Sequence, residues 1–538
     1  MTPMLNNLTP GRRGARSMKR ERRVLIALLV ALFQPLGHQS APPGSGRAQA
    51  TPLSLTAHGS SNHQAPPPAT VTELRAAIDQ IIQQPSFATT RWGILIESLD
   101  QNCAWYSRDA DQLFVPASNL KLYTTAAALV HLGPDYRFRT SVYAAASPDK
   151  TGVLKGDVIL YGRGDPNLSS RASGGGTLTP LDRLAEQLYQ AGVREIRGDV
   201  IGDESYFSGP PLGVGWEWDD LQWYYGAEIS ALSVDDNFIA LSLLPNETPG
   251  PPAKVLTVPE TTFVTVINKA VTTQAGTYRE IGMHRGLENN VIEVWGQIPM
   301  DGPGLNRSVA VHQPALYAAT LFSESLARRG IKITGRVKQA DAKYRQQAPL
   351  DFSKLAELAF VESIPLAEEL RILNKISQNL HAELLLRTVG AVVAGEGTAS
   401  QGIKVINNLL QSAHARRQGI ALQDGSGLSR QNLVTPATTV DLLRYVYRHA
   451  QRDVFLASLP VAGLDGTLES RMAGTPAQGN VRAKTGTTRY TYALSGYVTT
   501  AGGERWVFSM MVNNHTGPLS QAINAVNEIC TLLARFGG

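Results

Sequence analysis

Leu74, Ile78, Ile81 and Ile82 recur at helical spacing behind Thr70 and Glu73, which stand as a capping box, and Pro85 closes the pattern. A helix is predicted there. Two apolar runs follow across a short polar turn, WGILIESL (92–99) and CAWYS (103–107), and read as a β-hairpin. From about Tyr136 to Leu350 short β-rich runs dominate, among them TSVYAAA, DVILYG, NFIALSLL, TTFVTVI and NVIEVWG, broken by Gly, Pro and Asn. Two helical patterns interrupt them, LDRLAEQLYQAG and PALYAATLFSESLARRG. The last third returns to long helices: PLAEELRILNKISQNLHAELLLRTVGAVV, SQGIKVINNLLQSAHARR and TTVDLLRYVYRHA. It ends on a second hairpin, YALSGYVTT and RWVFSMMVNN around AGGE, and a helix on which Ile523, Val526, Cys530 and Leu533 share one face.

A helix and hairpin at the front, mirrored by a hairpin and helix at the back, predict one α+β domain split in sequence with the β-rich middle inserted into it. No internal period points to a solenoid or propeller. The expected boundaries are a catalytic first part at 70–137, inserted β-rich domains at 138–351 and a second catalytic part at 352–538.

The N-terminus changes the charge picture. Seven basic residues from Arg12 to Arg23 precede VLIALLVALF, and Ala48-Gln49-Ala50 follows, so residues 1–50 read as a secretory signal. Earlier cleavage, retention as an anchor and a start at Met18 stay open. Residues 51–69, rich in Pro, Ser, Thr and His, read as a disordered linker. The first 50 residues hold eight basic residues and one acid, so of the net +5 the rest of the chain carries about −2. The basic balance belongs to the signal, and nucleic-acid binding loses its main support. Two cysteines, Cys103 and Cys530, make neither a disulfide framework nor a zinc cluster; Cys530 reads as a buried apolar thiol.

Candidate chemistry begins with PASNLK, 116–121. A helix starting at Ser118 would put its hydroxyl and the amine of Lys121 on one side, as nucleophile and base. Lysine serves as a base once desolvation lowers its pKa. Ser-x-x-Lys alone is a weak signal: Ser147-Pro148-Asp149-Lys150 matches too, followed by Thr151-Gly152, but reads as a surface turn. Order strengthens Ser118. Ser377-Gln378-Asn379 lies in a polar interruption of a helical stretch, and Lys484-Thr485-Gly486 precedes the apolar run YALSGYV. Ser-x-x-Lys, Ser-x-Asn (commonly Ser-Asp-Asn) and Lys-Thr-Gly in this order form the motif set of penicillin-binding proteins and class A β-lactamases.

With YGRGDPNL (161–168), RGDVIGDESYF (197–207), YGAEISALSVDDN (225–237), DGSGLSRQN (424–432) and LPVAGLDGTLESRM (459–472), the chain from about 70 to 538 resembles the class C low-molecular-mass penicillin-binding proteins. These form the D-alanyl-D-alanine carboxypeptidase and endopeptidase family, peptidase family S13. The resemblance implies an α+β fold: a penicillin-binding transpeptidase or β-lactamase-like catalytic domain, its antiparallel sheet flanked by helices, interrupted by two small β-rich inserted domains. It implies Ser118 as the acylated nucleophile, Lys121 as its base, Ser377 as a proton relay and Asn379 as a hydrogen-bond partner of the acyl side. Lys484 and Thr485 would hold the substrate carboxylate, and the amides of Ser118 and Thr487 would form the oxyanion hole. In the family the loop matching DGSGLSR borders the cleft, which makes Leu428 and Arg430 secondary candidates for substrate contact. Gln378 replaces the family's common aspartate, at a position expected to act mainly through its backbone.

The implied activity is serine-type D-Ala-D-Ala carboxypeptidase action on peptidoglycan stem peptides, with endopeptidase action beside it, without metal or cofactor. β-Lactams are the expected inhibitors, and the expected place is the periplasm after export, with peripheral membrane or cell-wall association left open. Two alternatives stand against this: a serine β-lactamase, which lacks a Glu-x-x-Leu-Asn deacylation motif here, and an idle cell-wall scaffold. His381-Ala382-Glu383 matches part of a zinc-deaminase motif but lacks its Cys pair and reads as helix surface. Trp216 and Trp218 are expected in core packing rather than on a glycan surface.

Overall fold

The computed structural model describes residues 68–169 and 179–538; the expected signal, and the linker up to residue 67, lie outside them. The two ends of the chain meet in one five-stranded antiparallel sheet ordered Arg482–Thr488, Thr491–Thr499, Arg505–Asn513, Arg91–Ser98, Ala104–Arg108. Both predicted hairpins are present. Arg91 faces Asn513 and Ser98 faces Trp506, so strands more than 400 residues apart in sequence lie side by side in full register.

Alternate side chains of this sheet enter two cores, because successive residues point to opposite faces. Trp92, Ile94, Ile96, Leu494, Phe508 and Met510 pack under the helices Val71–Ile82 and Leu519–Arg535. Leu95, Ala493, Tyr497, Val507 and Met511 pack on the other side, with the helices Lys121–Leu132 and Pro436–Arg448. Burial on both faces explains why the strands read as nearly continuous apolar runs. The first helix has the predicted capping box: Glu73 N donates to Thr70 Oγ1 at 3.2 Å, and Thr70 N donates to Glu73 Oε2 at 3.3 Å. Cys530 is buried in the last helix and Cys103 is partly exposed; both are free thiols.

Two further cores fill the middle of the chain. In the first, a mixed sheet ordered Val337–Ala340, Val200–Asp203, Val158–Tyr161, Arg139–Ala144, Ala356–Glu362 packs against the helices Thr179–Gln190 and Pro314–Arg329. The second is built from strands, with Leu241, Leu243, Ile292, Val294 and Ile298 at its centre. The strand Ala356–Glu362 pairs with Arg139–Ala144, so the middle sheet takes in residues past the edge expected at 351.

The long helix expected from Pro365 is two helices, Leu366–Ile376 and Asn379–Ala394. Ser377 breaks it with φ 62° and ψ 41°, a left-handed conformation that ends the first helix, and extended Gln378 starts the second.

Candidate active site

The segment before Ser118 is fixed from the neighbouring sheet. Asn513 accepts from Val115 N at 2.8 Å and donates to Val115 O at 3.2 Å. Ala117 follows with φ 48°, a conformation that costs an alanine about 1–2 kcal/mol and persists only where the surroundings impose it. Gly427 supplies one cause of that constraint: its φ is +82°, and a Cβ there would stand 1.9 Å from the Ala117 carbonyl oxygen. Residues Ala117–Leu120 then form a 3₁₀ turn that continues as the α-helix Lys121–Leu132. With three residues per 3₁₀ turn, Ser118 and Lys121 are eclipsed, which brings their side chains closer than α-helical spacing would.

Lys121 Nζ lies 2.8 Å from Ser118 Oγ, 2.6 Å from Asn379 Oδ1 and 2.8 Å from the carbonyl oxygen of Ser426. The lysine is fully buried. Burial lowers its pKa from 10.5 to about 7, against the pull of Asp424 and Glu383, which raise it. The three contacts suit the free amine. In that form two hydrogens would go to Asn379 and Ser426, leaving the lone pair free to accept from the Ser118 hydroxyl.

The second and third motifs face each other. Lys484 Nζ donates to Ser377 Oγ at 2.8 Å and to Thr485 O at 3.0 Å. Lys484 is also fully buried, and desolvation, then the charge of Lys121, holds its pKa well below the ordinary value. Asn379 Nδ2 donates to Tyr225 O at 2.8 Å, leaving one amide hydrogen for another acceptor. Thr485 Oγ1 donates to Thr467 Oγ1 at 2.8 Å, and Thr487 is half-buried in the same edge strand. Gly486 has a reason that the sequence does not give. A Cβ there would meet Pro116 O at 2.7 Å and the amide nitrogens of Ser118 and Asn119 at 3.0 Å. The missing side chain lets the edge strand lie against the nucleophile turn.

The DGSGLSR loop closes the site from a third direction. Glu383 Oε1 accepts from Gly425 N at 3.0 Å and Ser426 N at 2.8 Å, which aims the Ser426 carbonyl at Lys121. Burial, then Asp424, pushes the Glu383 carboxyl up to about 7. Leu428 is half-buried on this loop, and Arg430 Nη1 donates to Arg489 O at 2.7 Å, tying the loop to the end of the Lys484 strand.

Four expectations change. His381 and Glu383 are each 1% exposed, so neither lies on a helix surface; both point into buried polar contacts. Trp218 is 70% exposed instead of packed in a core, and half-buried Trp216 donates its ring N–H to Asp424 Oδ2 at 3.0 Å. Gln378 acts through its side chain as well as its backbone, since Nε2 donates to Asp236 Oδ2 at 2.8 Å. The helix begins at Ser118 only as a 3₁₀ turn. The competing Ser147-Pro148-Asp149-Lys150 is a surface turn as expected, with Asp149 Oδ1 accepting from Thr151 N and Val153 N. Sequence reasoning missed the acceptors Ser426 O and Tyr225 O, and also Asp236; all three lie in stretches that carry the family resemblance.

The chain as a whole is similar to known proteins. The model of the D-Ala-D-Ala carboxypeptidase 3 (S13) family matches residues 74–535. A D-alanyl-D-alanine carboxypeptidase of an Actinomadura species is 37% identical over 481 residues, covering 87% of this chain and 86% of that protein. D-alanyl-D-alanine carboxypeptidase DacB of Haemophilus influenzae is 29% identical, covering 79% and 86%. The crystal structure of penicillin binding protein 4 (dacB) from Haemophilus influenzae superposes with a TM-score of 0.74 at 27% identity, over 86% of this chain and 99% of that one. A second structure of that protein, complexed with a β-lactam, shares the fold with a TM-score of 0.69. The chain therefore belongs to the D-Ala-D-Ala carboxypeptidase 3 (S13) family.

Proposed function

We propose that this family member is an exported, periplasmic serine D-Ala-D-Ala carboxypeptidase that cleaves peptidoglycan stem peptides through an acyl-enzyme on Ser118. The observation that carries this reading is the buried Lys121 amine, 2.8 Å from Ser118 Oγ with its pKa lowered to about 7. Ser118 Oγ attacks the carbonyl carbon of the penultimate D-alanine while its proton passes to Lys121 Nζ. The amides of Ser118 and Thr487 carry the charge on the carbonyl oxygen. The C–N bond then breaks, and the proton taken up by Lys121 passes through Ser377 Oγ, which contacts Lys484, to the departing amine, leaving Lys121 free again. Water attacks the ester and gives a proton to Lys121, which returns it to Ser118 Oγ as the ester C–O bond breaks.

Lys484 donates to Ser377 and, with Thr485, holds the terminal carboxylate of the peptide, whose negative charge favours the protonated amine against the burial that lowers its pKa. Its remaining hydrogen lets Asn379 Nδ2 bind the acyl side, while Leu428 and Arg430 border the peptide. A β-lactam acylates the same serine, but its leaving nitrogen stays tethered, so the acyl-enzyme persists. Residues 70–137 and 352–538 form the catalytic domain under this reading, apart from the strand Ala356–Glu362, which joins the sheet of the inserted residues 138–351. The signal features of residues 1–50 support export, and no helix among the described residues is long and apolar enough to cross a membrane.

The test is intact mass spectrometry of residues 51–538 after brief exposure to penicillin, beside Ser118→Ala, followed by D-alanine release from a pentapeptide ending in D-Ala-D-Ala. A stable adduct on the wild type alone, with D-alanine release, is expected. Rapid penicillin turnover without an adduct would replace the reading with a β-lactamase, and no reaction by folded protein would replace it with a scaffold. Hydrolysis of a cross-linked muropeptide dimer measures the endopeptidase share.

A further inference from the structure

Behind the second motif lies a buried polar chain that the reaction above does not use. Asp236, from the middle of the chain, is 3% exposed. Its Oδ2 accepts from Gln378 Nε2 at 2.8 Å, and its Oδ1 lies 2.8 Å from His381 Nε2. His381 Nδ1 lies 2.7 Å from Glu369 Oε1. Glu369 sits on the helix before the break at Ser377 and His381 on the helix after it, so the chain spans that break. Gln378 Oε1 accepts from Leu380 N at 3.3 Å, so the residue between Ser377 and Asn379 is held at both ends of its amide.

Asp236 is itself presented by an unusual backbone. Asp235, Asp236 and Asn237 have φ of 46°, 57° and 54°, three successive non-glycine residues in the left-handed region. Asp and Asn visit this region more readily than other side chains, yet three in succession persist only where surrounding contacts hold them. Asn237 supplies those contacts: its Nδ2 donates to Glu228 O and Ser233 Oγ, both at 2.9 Å, and its Oδ1 accepts from Val234 N at 3.1 Å.

We propose that Asp236 is a positioning residue for the carboxypeptidase reaction: through Gln378 and His381 it sets the left-handed turn that aims Ser377 at Lys484 and Asn379 at Lys121. The inference rests on the acyl-enzyme reading above and gives the inserted region a part in catalysis. It does not touch substrate. The two contacts it serves are the 2.8 Å Lys484–Ser377 and 2.6 Å Lys121–Asn379 hydrogen bonds, and a displacement of about 1 Å at such groups costs on the order of a hundredfold in rate.

Hydrogen-bond polarity makes the idea testable. One end of the chain is Leu380 N–H, a fixed donor. The other is His381: although desolvation lowers its pKa, Glu369 and Asp236 together raise it to about 9, so both ring nitrogens carry hydrogens at neutral pH. Between two fixed donors, Gln378 and Asp236 fit only as an amide and a carboxylate in either order. With His381 still protonated on both nitrogens, Asp236→Asn alone leaves two donors facing each other in every orientation of the two amides; relief requires His381 to give up the Nε2 proton that Asp236 helps to hold. Gln378→Glu alone sets two carboxylates against each other. Together the two substitutions restore the hydrogen bonds of this chain with unchanged net charge: the introduced carboxylate accepts from Leu380 N–H and from the introduced amide, whose oxygen accepts from His381.

The experiment measures penicillin acylation at saturation, and kcat and KM for a peptide ending in D-Ala-D-Ala, in the wild type, both single variants and the double variant. Each single variant should lose on the order of a hundredfold in acylation rate and kcat with KM changed less than about threefold, and the double should recover to within about fivefold. Singles that react like the wild type, or a double as slow as the product of the singles, would overturn the proposal. Should a single variant fail to fold, Gln378→Met, which keeps the volume and removes only the polar contacts, decides in its place: an unchanged rate overturns the proposal and a comparable loss supports it. A wild type that takes no penicillin removes the acyl-enzyme reading and this inference with it, whereas a reactive wild type with indifferent variants removes only the inference.

Discussion

The buried lysine makes a pH prediction whose size follows from the site. As the proposed base, Lys121 can take the Ser118 proton only as the free amine. At an ordinary pKa of 10.5 about 0.03% of a lysine is free at pH 7, whereas at about 7 half of it is, so burial is worth roughly a thousandfold in active base. Because the pKa is lowered, the reactive form is lost as pH falls through about 7 and is complete about a unit above it. The saturating rate of penicillin acylation, followed by stopped flow from pH 5 to 9, should rise with a midpoint near 7, falling to about a tenth of plateau at pH 6 and about a hundredth at pH 5. Working at saturation removes effects of Lys484 on binding. Glu383 also titrates in this range, and its charge raises the Lys121 pKa. Glu383→Gln should therefore move the rising limb to lower pH. A rate flat from pH 5 to 9, or one still rising at pH 9, would refute Lys121 as the base set by burial, and an unmoved limb in Glu383→Gln would refute the electrostatic account.

Gly486→Ala should cut acylation by on the order of a hundredfold with the fold retained, since its Cβ must push the edge strand off the Pro116–Asn119 backbone; near-normal kinetics would show that the turn gives way freely. Lys484→Gln should lower kcat/KM by at least about tenfold more on a peptide with a free terminal carboxylate than on its C-terminal amide, where only the contact to Ser377 is lost. Equal losses on both peptides would remove Lys484 from carboxylate binding. Phe508→Ala, under the helices Val71–Ile82 and Leu519–Arg535, should destabilise the protein by about 3–5 kcal/mol in urea unfolding. A change below about 1 kcal/mol would show that this core collapses around the gap.

The catalytic sheet was legible because burial on both faces leaves apolar runs, and the flanking helices because their polar faces stay wet. The helix Asn379–Ala394 misled for the opposite reason. Its first twelve residues are all buried, including His381, Glu383 and Arg387, so polarity there does not mark a surface. Each of these polar side chains meets a partner from a distant segment, and a single helix's pattern holds no sign of that. Trp218 misled in the reverse direction: an aromatic in an aromatic-rich stretch suggests a core, yet the neighbouring residues Glu217 and Asp219 reach Arg430 and Arg489 while its ring stays exposed.

The three motifs were readable because each is a local backbone event. Ser118 and Lys121 need one 3₁₀ turn, Ser377 to Asn379 need one helix break, and Lys484 to Gly486 need one stretch of edge strand. What makes them work was not readable, and the reason is chemical as well as spatial. Lys121 is held by the carbonyl of Ser426, Asn379 by the carbonyl of Tyr225, and Lys484 by the carbonyl of Thr485. A main-chain carbonyl is present at every position, so no residue type marks it. The side chains that aim these groups do leave a mark, as Glu383 does for Ser426 and Asp236 does for the second motif, but from 43 and 142 residues away. The insertion therefore belongs to the active site through the groups a motif leaves out.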